Sequence, residues 1–270
     1  VTGALHVEHV MGMAVTIDIR DDRADAAALV EDVVAWLHAV DATFSTYKPG
    51  SAISRLGRGE LALDDTPDDV RWVLAQCESL RRRTGGFFDA CVAGSLDPSG
   101  FVKGWAVEVA SARLRAGGSL RHCINAGGDV RAYGEPAPGR PWLVGIAHPL
   151  VAGALCAVIP VRDGAVATSG TAERGAHVFD PHTGKAALDL ASVTVAGPDL
   201  AQADAFATAA LAMGFGAPAW LATLDGYEAY AVDAGGREWA TLGWPRLADV
   251  LSGAAGGPVG PVGSSRPYQG

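Results

Sequence analysis

The sequence predicts an α+β fold, and three observations lead there. Helical and strand periodicities both occur along the 270 residues, and no internal repeat is visible. The two kinds of segment do not alternate strictly, which argues against a doubly wound parallel sheet. Hydrophobic residues make up 49% and charged residues 19%, the balance of a chain with a packed core rather than a disordered one. Length alone allows one large domain or two small ones.

Residues 5–20 read as a strand pair, with "AVTIDI" alternating well. Asp21 and Asp22 then introduce a helical stretch to about Asp41, with apolar positions at Leu29, Val33, Trp36, Leu37 and Val40. The segment "STYKPGSAISRLGRGE" reads as a loop. A second helix is expected over 67–83, stopping at Gly85-Gly86, and a third over 98–116, stopping at Gly117-Gly118. Short strands are expected over 122–125, 142–146, 155–160, 165–168 and 192–195. Helices over 200–213 and 216–224 and a strand over 228–232 complete the pattern. From Gly253 to Gly270 the chain is rich in Gly, Pro and Ser, so 1–252 is expected to fold and 253–270 to be a disordered tail.

A net charge of −9 argues against a nucleic-acid surface, which needs a basic stripe. A phosphate-bearing ligand would have to be held locally, by backbone N–H groups, a metal or a few basic side chains. Cys77, Cys91, Cys123 and Cys156 form no CxxC pair and read as small core residues in a reducing compartment. No apolar run reaches the ~18 residues of a membrane span. Residues 1–20 lack a basic region followed by an apolar core, so a cytoplasmic location is expected; because the chain begins at Val1, a removed leader stays open.

Four segments carry candidate chemistry. In the helix over 200–213, Asp199 is a good N-cap and Gln202 follows at capping-box spacing. The only polar residues from Leu200 to Met213 are Gln202, Asp204 and Thr208. Asp204 and Thr208 are four apart and share a helix face, which suits a hard cation; an Asp–Thr hydrogen bond without metal is the alternative. In "LDPSGFVKGWAVE", Asp97 and Pro98 fit N-cap and N1, Gly100 permits close backbone approach, and Lys103 either reaches a phosphate or carboxylate such as Asp97 or is solvated. "NAGGDVRAYG" offers a tight turn or a close ligand approach but does not match a dinucleotide-binding fingerprint. In "VATSGTAERGAHVFDPHTGK", Thr168, Ser169 and Gly170 could form a phosphate nest, and His177 is either a general base or a core histidine.

Taken in order, these segments resemble the FAD:protein FMN transferase (ApbE, flavin transferase) family from about Val10 to Gly214. "MGMAV" resembles the family's entry strand, "FSTYKPGSAISRL" its F-S-x-Y loop, and "TGGFFDACV" its G-x-F-D turn. "LDPSGFVKGWAVE" and "INAGGDVRAYG" are similar to its K-G-[YW]-A and N-x-G-G-D segments. "WLVGIAHP", "VATSGTAERGAHVFDPHTG" and "SVTVAGPDLAQADAFATAALAMG" resemble the remaining motifs. Met13 stands where Thr is usual, and Ala90-Cys91 replaces the usual residues after Phe-Asp.

The resemblance implies a single compact domain of mixed sheet and helices. It implies Mg²⁺ ligated by Asp204, Thr208 and the Gly100 carbonyl. It implies a FAD site lined by Met11, Tyr47, Phe87, Phe88, Asp89, Asp97, Lys103, Thr168, Ser169, Gly170 and His177, with His177 as base. The reaction implied is transfer of FMN from FAD to a Thr or Ser hydroxyl of a client flavoprotein, with release of AMP. The same site with water as nucleophile would be a FAD pyrophosphatase, and a non-catalytic flavin-binding protein is the remaining alternative.

Overall fold

The structure is a computed structural model that describes residues 3–92, 94–171 and 178–245. Its centre is an eight-stranded sheet in the order β1-β2-β5-β6-β9-β10-β11-β12, antiparallel throughout. The strands are β1 (Ala4–Val10), β2 (Met13–Ile19), β5 (His122–Ala126), β6 (Asp129–Tyr133), β9 (Gly164–Gly170), β10 (Leu190–Gly197), β11 (Glu228–Asp233) and β12 (Glu238–Ala240). Two small ribbons stand apart, β3 (Cys91–Val92) with β4 (Ser95–Leu96) and β7 (Trp142–Ala147) with β8 (Leu155–Val161). The helices are α1 (Ala26–Phe44), α2 (Ala52–Gly57), α3 (Asp68–Arg83), α4 (Ser99–Ala116), α5 (Leu200–Met213) and α6 (Ala217–Leu221). This is the α+β mixture the periodicities predict.

Strand alternation splits the core in two. One face of the sheet packs Ile17, Ile124, Ala165, Ala167, Val193 and Ala231 against the helices. The other face packs Val130, Ala132, Val166 and Val232 against Trp142, Val144, Ile146 and Ile159 of the β7–β8 ribbon. Helix α5 lies in the helical core and is buried nearly all round, which its run of alanines permits. Its N-terminus is capped as expected, Asp199 Oδ1 accepting from Gln202 N at 2.8 Å.

Four expectations need correction. Helix α1 begins at Ala26, not at Asp21 or Asp22, because the Asp21 carboxylate is bound elsewhere: it accepts from Ser119 Oγ (2.7 Å), Leu120 N (3.0 Å) and Arg121 N (3.0 Å). The segment after Phe44 is not all loop; it contains α2, whose N-cap Ser51 accepts from Ser54 N at 3.1 Å. The glycine pair of "NAGGDV" turns directly into β6, a strand not among those expected: Val130 and Ala132 do alternate with Asp129 and Arg131, but the glycine pair makes the segment read as a turn. Of the cysteines only Cys77 is buried; Cys123 and Cys156 are half-buried and Cys91 is exposed. Residues 253–270, expected to form a tail, lie outside the described residues.

Candidate active site

The site forms where the two-residue turns of the sheet meet the start of α4. Between β5 and β6 the turn is Gly127-Gly128, at φ +57° and +96°. A tight hairpin needs positive φ at both central positions, which glycine adopts at least cost. Between β1 and β2 the corresponding positions are Met11 (φ +54°) and Gly12 (φ +73°), so Met11 carries the backbone strain of a non-glycine residue there. The turns are neighbours: Gly127 N donates to Ala14 O at 3.2 Å. Met13 lies along the glycine turn, its Sδ 3.2 Å from where a Cβ on Gly127 would sit.

Asp129 follows that turn and points into the helix layer, 1% exposed. Its Oδ2 lies 2.6 Å from Lys103 Nζ on α4. Its Oδ1 accepts the backbone N–H of Thr168 on β9 at 3.0 Å. Lys103 Nζ is also 3.5 Å from Asp204 Oδ1 on α5. Asp204 is buried as well, and its Oδ2 accepts from Gly104 N at 3.1 Å. Helices α4 and α5 approach this closely because residue 104 has no side chain. A Cβ there would fall 2.6 Å from Leu200 O and 3.0 Å from Asp204 Cβ.

Two buried carboxylates thus share the Lys103 ammonium. Burial pushes the Asp204 carboxyl well above the usual carboxylate range, with Lys103 opposing the shift and the Asp129 charge adding to it. One turn along α5 from Asp204, Thr208 Oγ1 is 3.1 Å from Ser169 Oγ on β9. Gly100 closes this corner: a Cβ on it would meet Phe88 at 3.3 Å and Thr208 Cγ2 at 3.6 Å. The Gly104 N–H is the helical partner expected for the Gly100 carbonyl, and Asp204 competes with that carbonyl for the same hydrogen. Asp204 and Thr208 thus bring a carboxylate and a hydroxyl to one face of α5 beside the Gly100 backbone, and oxygen donors are what a hard cation takes. Among the described residues there is no cluster of three or more His, Cys, Asp or Glu able to hold a metal.

Lys103, Asp204, Thr208, Ser169, Gly100 and buried Phe88 come together in this way. Asp97 is not a partner of Lys103 within ion-pair distance; its Oδ1 accepts Ser99 N at 3.0 Å and ties down the first turn of α4. Asp89 accepts Cys91 N at 2.8 Å. Half-buried Phe87 packs edge-on against His182, with ring centroids 4.6 Å apart, so the turn at Asp180 is seated on the Gly86-Phe87 segment. Tyr47 is 95% exposed and packs on almost nothing.

The phosphate-nest expectation is corrected. Thr168, Ser169 and Gly170 are extended strand paired with Thr194, Val193 and Ser192 of β10. The Thr168 N–H is taken by Asp129. Thr168 Oγ1 bonds Thr194 Oγ1 at 2.9 Å, on the opposite face of the strand from Ser169. His177 lies outside the described residues. Asp129 was not singled out in the sequence as a site residue, because the glycine pair beside it is explained by turn geometry alone.

The sequence profile of the ApbE family matches residues 11–94 and 93–231. A FAD:protein FMN transferase of Haemophilus influenzae is 32% identical over 130 residues, 44% of this chain and 38% of that protein. One from Rhodobacter capsulatus is 36% identical over 125 residues, 43% of this chain and 24% of that protein. The matched stretch thus spans well under half the length of these curated relatives. The crystal structure of the ApbE protein of Thermotoga maritima superposes with a TM-score of 0.82 at 20% identity, covering 89% of this chain and 97% of that one.

Proposed function

We propose, from the premise that the chain belongs to the ApbE family, that it is a FAD:protein FMN transferase, the name its relatives in Haemophilus influenzae and Rhodobacter capsulatus carry, and that it depends on Mg²⁺. The observation that carries the reading is the buried pair Asp129 and Asp204 on a single ammonium, beside the Ser169–Thr208 hydroxyl pair. Among the described residues two buried carboxylates face one ammonium here, and a divalent cation is the economical counter-charge for the second carboxylate. Mg²⁺ is commonly held by one or two carboxylates together with substrate phosphates. Asp204, Thr208 and the Gly100 carbonyl would hold it, and when bound it would neutralise phosphate charge as the leaving group departs.

The chain's own residues supply the rest. FAD would lie over the turns at Met11 and Gly127-Gly128 and along Phe87, Phe88 and Ser169, with Tyr47 closing over it from the surface. A Thr or Ser hydroxyl of a client flavoprotein attacks the FMN-side phosphorus of FAD. The bond from that phosphorus to the bridging oxygen breaks, and AMP leaves. The hydroxyl proton passes to His177, the general base in this reading.

The test is incubation with FAD, Mg²⁺ and a candidate acceptor, followed by intact mass of the acceptor. An FMN adduct that disappears with a chelator and in Asp204→Ala is expected. Free FMN formed without an adduct would instead mean water is the nucleophile. Bound FAD with neither product would leave a flavin-binding protein.

A further inference from the structure

We infer that Asp129 is a positioning residue that draws the Lys103 ammonium towards itself, limits how closely it pairs with Asp204, and so keeps the Asp204 carboxylate available to a divalent cation. The inference rests on the reading of Asp204 as a cation ligand given above. Lys103 Nζ is 2.6 Å from Asp129 Oδ2 but 3.5 Å from Asp204 Oδ1, so the ammonium is seated on Asp129. The seat is rigid. Asp129 leaves a hairpin turn formed by two glycines, is 1% exposed, and has its other oxygen fixed by Thr168 N at 3.0 Å. Oδ1 is thereby turned to β9 and Oδ2 to α4. Lys103, Asp129 and Asp204 come from α4, β6 and α5, so their spacing is set by the packing of three elements.

Without the Asp129 charge, Asp204 would be the carboxylate left within ion-pair distance of the ammonium among the described residues. A close pair of opposite charges in the interior is strong once formed. A cation arriving at Asp204 would then have to displace Lys103. Asp129 therefore acts on the cation largely through Lys103, and its effect should shrink when Lys103 is gone. A carboxylate that merely added negative charge to the site would weaken cation binding on removal whether or not Lys103 were present.

The experiment is a titration of the full chain with Mn²⁺ alone, free Mn²⁺ being read by electron paramagnetic resonance, in a double-mutant cycle. Asp129→Asn keeps an oxygen for Thr168 N and removes the charge. It should weaken Mn²⁺ binding roughly tenfold or more, the size of coupling expected for groups in one ion-pair network. Lys103→Met alone removes a positive charge 3.5 Å from Asp204 Oδ1 and should tighten Mn²⁺ binding, and in that background Asp129→Asn should cost at least about threefold less affinity than it does in wild type. Melting curves check that each variant folds. If Asp129→Asn alone does not fold, the double variant is compared with Lys103→Met, and affinities within about threefold of each other are expected. The inference is overturned if Asp129→Asn binds Mn²⁺ like wild type, or if it weakens binding by the same factor with and without Lys103. Failure of the underlying reading looks different: wild type then binds no Mn²⁺, or Asp204→Asn binds it undiminished.

Discussion

Gly104→Ala tests the close approach of α4 to α5. An added Cβ would lie 2.6 Å from Leu200 O, 2.9 Å from Ala201 Cα and 3.0 Å from Asp204 Cβ. Leu200 O and Ala201 Cα are backbone, and Asp204 Cβ is fixed to it, so no rotamer change relieves the overlap and the helices must separate. Overpacking of this kind costs about 3 kcal/mol, the upper end of the usual range. Alanine returns about 1 kcal/mol through helix propensity. The net expectation is a loss of about 2 kcal/mol, or a fall of about 4–8 °C in Tm for a chain of this size. Gly57→Ala in α2 is the control: its Cβ would meet Leu96 Cβ at 3.5 Å, an ordinary contact. It should be neutral or stabilising by up to ~1 kcal/mol. Thermal and urea melts of both variants read the difference. Separation of the helices also pulls Gly104 N away from Asp204 Oδ2, so Mn²⁺ affinity should drop in Gly104→Ala and not in the control. A Gly104→Ala protein that melts at or above wild type would refute the packing argument.

His122 is fully buried between Ser111 Oγ at 2.8 Å and Ser119 Oγ at 3.1 Å, and burial, reinforced by Arg131, pushes its pKa down to about 4. The unfolded chain binds its proton near pH 6.5 and the folded chain does not. Stability should therefore be lost as pH falls from about 6.5 towards 4, by up to ~1.4 kcal/mol per pH unit; denaturant melts that keep the same slope in His122→Gln would count against this. Cys91 is exposed, whereas burial pushes the Cys77 and Cys123 thiols up to about 12. Iodoacetamide at pH 8 should label Cys91 before half-buried Cys123, and buried Cys77 should react only on unfolding; peptide mapping that finds Cys77 labelled as fast as Cys91 contradicts it. His177→Asn should lower transfer ~10²–10⁴-fold, with FAD affinity and Tm little changed. A variant that melts early yet transfers normally in the cold would make His177 a packing residue.

Local signals in the chain were enough for most elements. Apolar periodicity and terminating glycines mark α3 and α4, and the Asp199–Gln202 cap and polar-free flanks mark α5. These depend on neighbours a few residues away, which is why they can be read along the chain. The ordered motifs likewise pointed to the ApbE family, whose profile the chain matches. Sequence could also put Asp204 and Thr208 on one helix face, since helical spacing alone requires it.

Tertiary packing decided what those residues meet. Lys103, Asp129 and Asp204 are joined by contacts between α4, β6 and α5, and no local rule selects Asp129 over Asp97 as the partner of Lys103. Strand pairing made Thr168–Gly170 a ladder rather than a nest, and the two-residue alternation of β9 sent Ser169 to Thr208 and Thr168 to Thr194. The Asp21 carboxylate was drawn to residues 119–121, which delayed α1 to Ala26. In each case a polar side chain had equally good local uses, and burial selected the partner that satisfies its charge or hydrogen bonds once the layers close.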